Sequence, residues 1–291
     1  MIETAKTRLG ERSPIIDAFE EAVAKIDSDG SLVEAVLGIA LLEYPKLHKQ
    51  KYLNWFENRA DEIFGTLSPG ASVREKIDAI NDKLFNDYCF NGNLQQYYDP
   101  RNSFLNEVID RRLGIPITLA IVYMELARRI GLSLRGIGLP GHFIVGCINE
   151  GEQAAANFYI DPFHNGRILD SADCAQIVET LYDGRVPFQM DYLRPSSPTE
   201  ILIRIINNLK SIYANAKLND KLLILHGMLM VLDTEDPRTR YDRAILRIEE
   251  GDAFGALKDL ESYTDTIPES LQSEEIKNLI RTCKINLASL N

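Results

Sequence analysis

The chain has 291 residues, 45% hydrophobic and 26% charged, with 32 basic against 43 acidic side chains and a formal net charge of −11. This is the balance of a soluble globular protein of roughly two domains, and its negative surface repels phosphate backbones, which excludes nucleic acid as a general partner. No apolar run approaches the ~20 residues of a membrane helix, the start MIETAKTRLGERSP has no apolar signal core, and the scattered Cys89, Cys147, Cys174 and Cys283 make no C-x-x-C pair or disulfide framework. A cytoplasmic protein with no membrane partner and no cofactor is expected.

In chain order, SLVEAVLGIALLEYP predicts a buried helix from Leu32, capped by Ser31 and stopped before Pro45. KYLNWFENRADEIF has helical spacing at Tyr52, Trp55, Phe56, Ala60 and Phe64. ASVREKIDAINDKLF opens on a Ser72–Glu75 capping box. The first 90 residues therefore read as a helical subdomain.

FNGNLQQYYDPRNS is rich in turn formers, and Ser103 is expected to cap a short helix through Arg112. A second helix begins at Pro116, which lacks an N–H that would be orphaned there anyway, and runs to Gly131. The period then changes: LRGIGL, HFIVGCI and NFYID read as short antiparallel strands, followed by the helix SADCAQIVETLY and a proline-rich stretch. From Thr199 five amphipathic helices follow. EEGDAFGALKDLESYTDTIP resembles the second half of a tetratricopeptide repeat, with its turn at Gly251-Asp252, small residues at Ala244 and Ala256 and a large one at Leu260. The fold class is α+β. The expected domains are 1–195, with a core at about 88–195, and an all-α, tetratricopeptide-like arm at 196–291.

Chemistry concentrates around Pro116, His142 and Asp161. A buried helix start followed by strands carrying a histidine and an aspartate is how papain-like cysteine hydrolases and acyltransferases are built. His142 and Asp161 are either a satisfied buried pair or a working acid–base pair. Asn102 and Ser103 are either a helix cap or a polar cleft wall, and Tyr98, with Tyr97, either lines a groove or covers a core. Thr118 lies two residues into the helix and faces a different way from its tip, so it is read, like His164, as a cleft-lining residue and not as a nucleophile. Cys147, an odd number of residues from His142, is expected on the opposite strand face, and Cys89 is expected to be a small apolar residue at a helix end. His164 joins His142 and Asp170 as a conceivable metal set, but nothing in the spacing demands a metal, and none is expected.

The run NSFLNEVIDRRLGIPITLAIVYMELARRIGLSLRGIGLPGHFIVGC, continuing into YIDPFHNGRIL, resembles the SirB family of transglutaminase-like proteins. The motifs GIPITLA, LPGHF and IDPF carry the resemblance. It implies a helical N-terminal part, a transglutaminase-like core and C-terminal tetratricopeptide-like helices. It also implies that His142 stands at the catalytic histidine, Asp161 at the orienting aspartate, and Pro116 at the lost nucleophile position. The expected function is non-catalytic, regulatory binding of a protein or peptide partner, with His142 and Asp161 as vestigial catalytic groups. The alternative is a hydrolase or acyltransferase in which the His142–Asp161 pair acts without a cysteine.

Overall fold

The computed structural model describes residues 13–26, 32–147, 158–268 and 272–289. Its contacts divide the chain into two units, one of residues 25–205 and one of residues 1–24 with 206–291.

In the unit of residues 25–205, α2 (Leu32–Ile39), α3 (Lys49–Phe64) and α4 (Val73–Asn81) occupy the expected segments. The expected Ser31 cap lies outside the described residues. Ser72 and Glu75 form the capping box, and α4 runs on into a π-helical turn over Asp82–Asp87. α5 (Leu105–Arg111) starts later than the sequence suggests. Ser103 does not cap it, because it belongs to a 3₁₀ turn, Pro100–Ser103, that Asp99 caps by accepting the Arg101 N–H. Two short strands, β1 (Asn91–Gly92) and β2 (Leu113–Gly114), pair in parallel and tie the FNGN loop to the chain before α6 (Pro116–Arg129).

α6 is the centre of this unit. It is apolar almost all round, as its sequence PITLAIVYMELARR requires, with Ile117, Leu119, Ala120, Ile121, Tyr123 and Leu126 all buried. Its last turn carries Arg128 and Arg129, and both bind the buried Glu125 carboxylate.

The main sheet is antiparallel in the order β3 (Arg135–Ile137), β4 (Ile144–Cys147), β5 (Phe158–Asp161), β6 (Arg167–Leu169). Asp161 stands opposite Arg167 at the end of the last pair. β6 is not foreseen from sequence, because three residues are too few to show alternation. One apolar cluster joins Ile137, Ile144, Tyr159 and Leu169 of the sheet to Cys174 and Val178 of α7 (Ser171–Tyr182). By strand alternation Asp161 leaves β5 on the Tyr159 side.

α8 (Pro198–Asn215) contains the boundary between the units. The other unit comprises α1 (Pro14–Val23), the second half of α8, α9 (Asn219–Leu232), α10 (Pro237–Glu249), α11 (Ala253–Thr266) and α12 (Glu274–Ala288). α1 thus groups with the C-terminal helices and not with the helices that follow it in sequence. It packs on α9, where a side chain at Gly227 would meet Ile16 Cδ1 at 2.3 Å. Between α10 and α11, Gly251 turns the chain at φ +78° and Asp252 caps the next helix. Ala244, Ala256 and Leu260 are buried together with Cys283, the small–small–large pattern of the repeat-like sequence.

Candidate functional site

Leu139 to Phe143 makes a turn before β4. Gly141 takes φ +68°, a backbone region open chiefly to glycine, and the His142 N–H bonds back to the Leu139 carbonyl at 3.2 Å. Arg204 of α8 holds this turn. Its Nη2 donates to the carbonyls of both Leu139 (3.1 Å) and His142 (2.7 Å), while its guanidinium lies 5.4 Å from the Phe143 ring centroid.

The turn presents His142 to Asp161. His142 Nε2 lies 2.8 Å from Asp161 Oδ2, and both side chains are buried. The same oxygen is 2.7 Å from His164 Nδ1. Asp161 Oδ1 accepts the backbone N–H groups of Phe163 (3.0 Å) and His164 (3.3 Å). An ionised carboxylate only accepts, so each imidazole turns an N–H toward it; in a neutral His142 ring, Nδ1 is then the free base. Burial alone pushes the Asp161 carboxyl up. Hydrogen bonds and charge from His142, then from His164, outweigh it and hold the group below the usual carboxylate range.

Phe163 packs edge-on to both imidazoles, with centroids 6.0 Å from His142 and 5.2 Å from His164. Gly92 lies against Phe163, since a Cβ there would sit 2.5 Å from the ring. His164 has a side chain 57% exposed, and with His142 it opens onto a pocket of about 390 Å³ walled by Ile177, Thr180 and Leu181 of α7. Arg167 and Asp173, paired at 2.8 Å, also line it. A larger pocket of about 460 Å³ lies around Glu125 and Arg128, whose charges already satisfy one another.

Of the side chains expected to line a cleft, His164 alone borders this pocket. Thr118 is fully buried: its Oγ1 donates to the Asn102 carbonyl at 2.8 Å and accepts the Ile115 N–H at 3.1 Å, satisfying the start of α6. Asn102 is buried as well. It donates to the carbonyls of Gln96 and Tyr97 and accepts from Asn93, stapling the preceding loop. Ser103 is buried in its 3₁₀ turn. Tyr98 is 77% exposed and leans on Tyr97, and it is Tyr97 that reaches Phe163. Asp170 does not join the histidines, because its carboxylate caps α7.

Pro116 is the buried first residue of α6, which packs on β4 and on the turn 162–164. No cysteine thiol among the described residues hydrogen-bonds to His142. Cys89 is exposed, in a left-handed conformation, with Sγ donating to the Asn86 carbonyl. Cys147 is buried and its thiol is pushed up by burial. Burial, then the charges of Asp173, Asp170 and Asp161, push the Cys174 thiol up to about 12. Neither buried thiol is an activated thiolate. His142 lies two residues before β4, so strand alternation does not fix its direction relative to Cys147. The sequence gives no signal for Arg204, one cation within an amphipathic helix. Phe163 is within IDPF, but only the fold reveals what it flanks.

A model of the transglutaminase-like superfamily matches residues 50–207, and a tetratricopeptide-repeat model matches residues 209–281. The chain belongs to the transglutaminase-like superfamily. Similar proteins include a UPF0162 protein of Xylella fastidiosa, 34% identical over 259 residues, which is 85% of this chain and 88% of that protein. A UPF0162 protein of Pseudomonas aeruginosa is 30% identical over 187 residues, 64% of this chain and 66% of its own. F-box only protein 21 of Mus musculus is 33% identical over 106 residues, 35% of this chain and 17% of that protein. No solved structure gives a significant match. Within the transglutaminase-like region lie His142, Asp161, His164 and the Arg204 clamp. No helix among the described residues is long and apolar enough to cross a membrane.

Proposed function

We propose that this transglutaminase-like protein is a pseudoenzyme of the SirB kind, which binds a protein or peptide partner in the cytoplasm and forms no thioester. One observation carries the reading: His142 and Asp161 are in hydrogen-bond contact, while α6 opens on Pro116 and no described thiol joins them. The SirB assignment itself rests on the motifs GIPITLA, LPGHF and IDPF. The pocket beside His142 supports partner binding, because Ile177 and Leu181 give it an apolar wall and Arg167, Asp173 and Gln176 a polar one. The repeat-like helices supply a second surface of a kind that generally engages other proteins.

The test is capture of partners from native lysate by the wild-type chain and by Leu181→Arg, which fills the pocket with a cation. A partner retained by the wild type and lost by the variant supports the reading. Transamidation or deamidation of glutamine side chains by the purified chain overturns it.

The Asp161-oriented imidazole favours a second reading, a hydrolase in which His142 activates water against an ester-like bond. Loss of a measured turnover in folded His142→Ala selects that reading.

A further inference from the structure

Asp161 is a buried carboxylate whose ion-pair partners, among the described residues, are two imidazoles and no lysine or arginine. The nearby Arg167 is committed to Asp173. The buried carboxylate thus has no permanent cation, lysine or arginine, to offset it, a costly arrangement in a protein interior.

The donor geometry suits an ion. One ligand atom each from His142, Asp161 and His164 falls within a 4.8 Å cluster, and the two nitrogens already stand 2.8 and 2.7 Å from Asp161 Oδ2. Zinc holds nitrogen and oxygen ligands at about 2.0–2.2 Å, which sets neighbouring donors roughly 3.0–3.4 Å apart. To form a coordination shell the two N···O separations must open by a few tenths of an ångström, and the two nitrogens, within 4.8 Å of one another, must close on the ion, a movement the exposed His164 ring can supply. The carboxylate is already oriented, because Oδ1 is pinned by two backbone N–H groups. The adjoining pocket gives access to a further coordination position.

We propose that His142, Asp161 and His164 form a binding site for a divalent transition-metal ion, with zinc the best match. Two imidazoles and one carboxylate suit a borderline cation and not calcium or magnesium, which prefer oxygen ligands alone. The ion replaces the hydrogens that now face Oδ2, and each neutral ring carries its proton on its other nitrogen. The site does not depend on the partner-binding reading, since it requires only these three side chains.

The test uses the full chain, stripped with a chelator and titrated with Zn²⁺ by calorimetry and with Co²⁺ by visible absorption. The wild type is expected to bind one ion per chain at this site, with a cobalt spectrum indicating nitrogen ligation and a rise in melting temperature with Zn²⁺. Loss of a supporting partner alone weakens metal sites by about tenfold, so His164→Ala and His164→Gln, altered at an exposed position, should weaken binding at least that much while keeping the wild-type circular dichroism. Absence of saturable binding, or unchanged affinity in the folded variants, overturns the site. Asp161→Asn, if it folds, should lose the ion as well; retention overturns it equally.

Discussion

Arg204 donates to the main-chain carbonyl of His142 at 2.7 Å across 62 positions of sequence, so a residue of α8 fixes the turn that delivers the imidazole. The same nitrogen also holds the Leu139 carbonyl. Arg204→Ala leaves two carbonyls without this donor and uncovers the Phe143 ring. The expected loss is about 1–3 kcal/mol of stability, read from urea unfolding. A variant as stable as the wild type would show the clamp to be incidental.

Gly92→Ala tests the packing beneath the site. The added methyl overlaps the Phe163 ring, which must move away from β1 and disturb the two imidazoles it flanks. A loss of about 1–3 kcal/mol is expected from overpacking, with shifted imidazole resonances of His142 and His164 in NMR. Unchanged resonances would place the adjustment elsewhere.

Thiol reactivity tests the missing nucleophile. In the native chain, alkylation should modify Cys89 alone, because it is exposed while Cys147, Cys174 and Cys283 are buried. Cys89→Ser should leave the folded chain unlabelled. A second, fast-reacting thiol in mass spectra would contradict the non-covalent reading.

In the repeat-like unit, the buried Asp259 binds Arg243 Nε at 2.8 Å and Arg247 Nη1 at 3.0 Å. Burial, then the Arg243 charge, already press the Arg247 guanidinium downward. Asp259→Ala leaves Arg243 without its carboxylate and Arg247 with the Asp252 carboxylate alone, at 3.5 Å, and removing one partner of a buried pair costs about 3–5 kcal/mol. Denaturant unfolding of the variant checks this. A loss below about 1 kcal/mol, the usual worth of a surface pair, would mean that solvent reaches the network.

His226 should make the same unit sensitive to acid. Burial, then the Lys210 charge, lower its pKa from 6.5 to about 4. The unfolded chain then takes up a proton below pH 6.5 that the folded chain refuses until about pH 4. Stability is therefore full above pH 6.5 and falls as pH drops through that window, by on the order of 3 kcal/mol at most. His226→Leu should flatten the slope in unfolding measured from pH 4 to 7; an unchanged slope assigns it to other groups.

Sequence by itself determined the parts whose cause is local. The apolar run at 116–129 dictates a helix buried on every side, Ser72 and Glu75 dictate a cap, and the change of period after Gly131 dictates strands. LPGHF and IDPF were enough to bring His142 and Asp161 under suspicion as a pair. Tertiary structure decided what those residues touch. His164 shares the carboxylate oxygen because the turn after β5 folds back on Asp161, whereas Thr118, Asn102 and Ser103 were drawn inward to satisfy backbone groups at the start of α6 and in the loop before it. α1 joined α9 because Gly227 leaves room for Ile16. The reason is physical: periodicity and caps act over one or two turns of chain, while a hydrogen-bond partner is chosen among all groups that packing brings within about 3 Å, and nothing local encodes that choice.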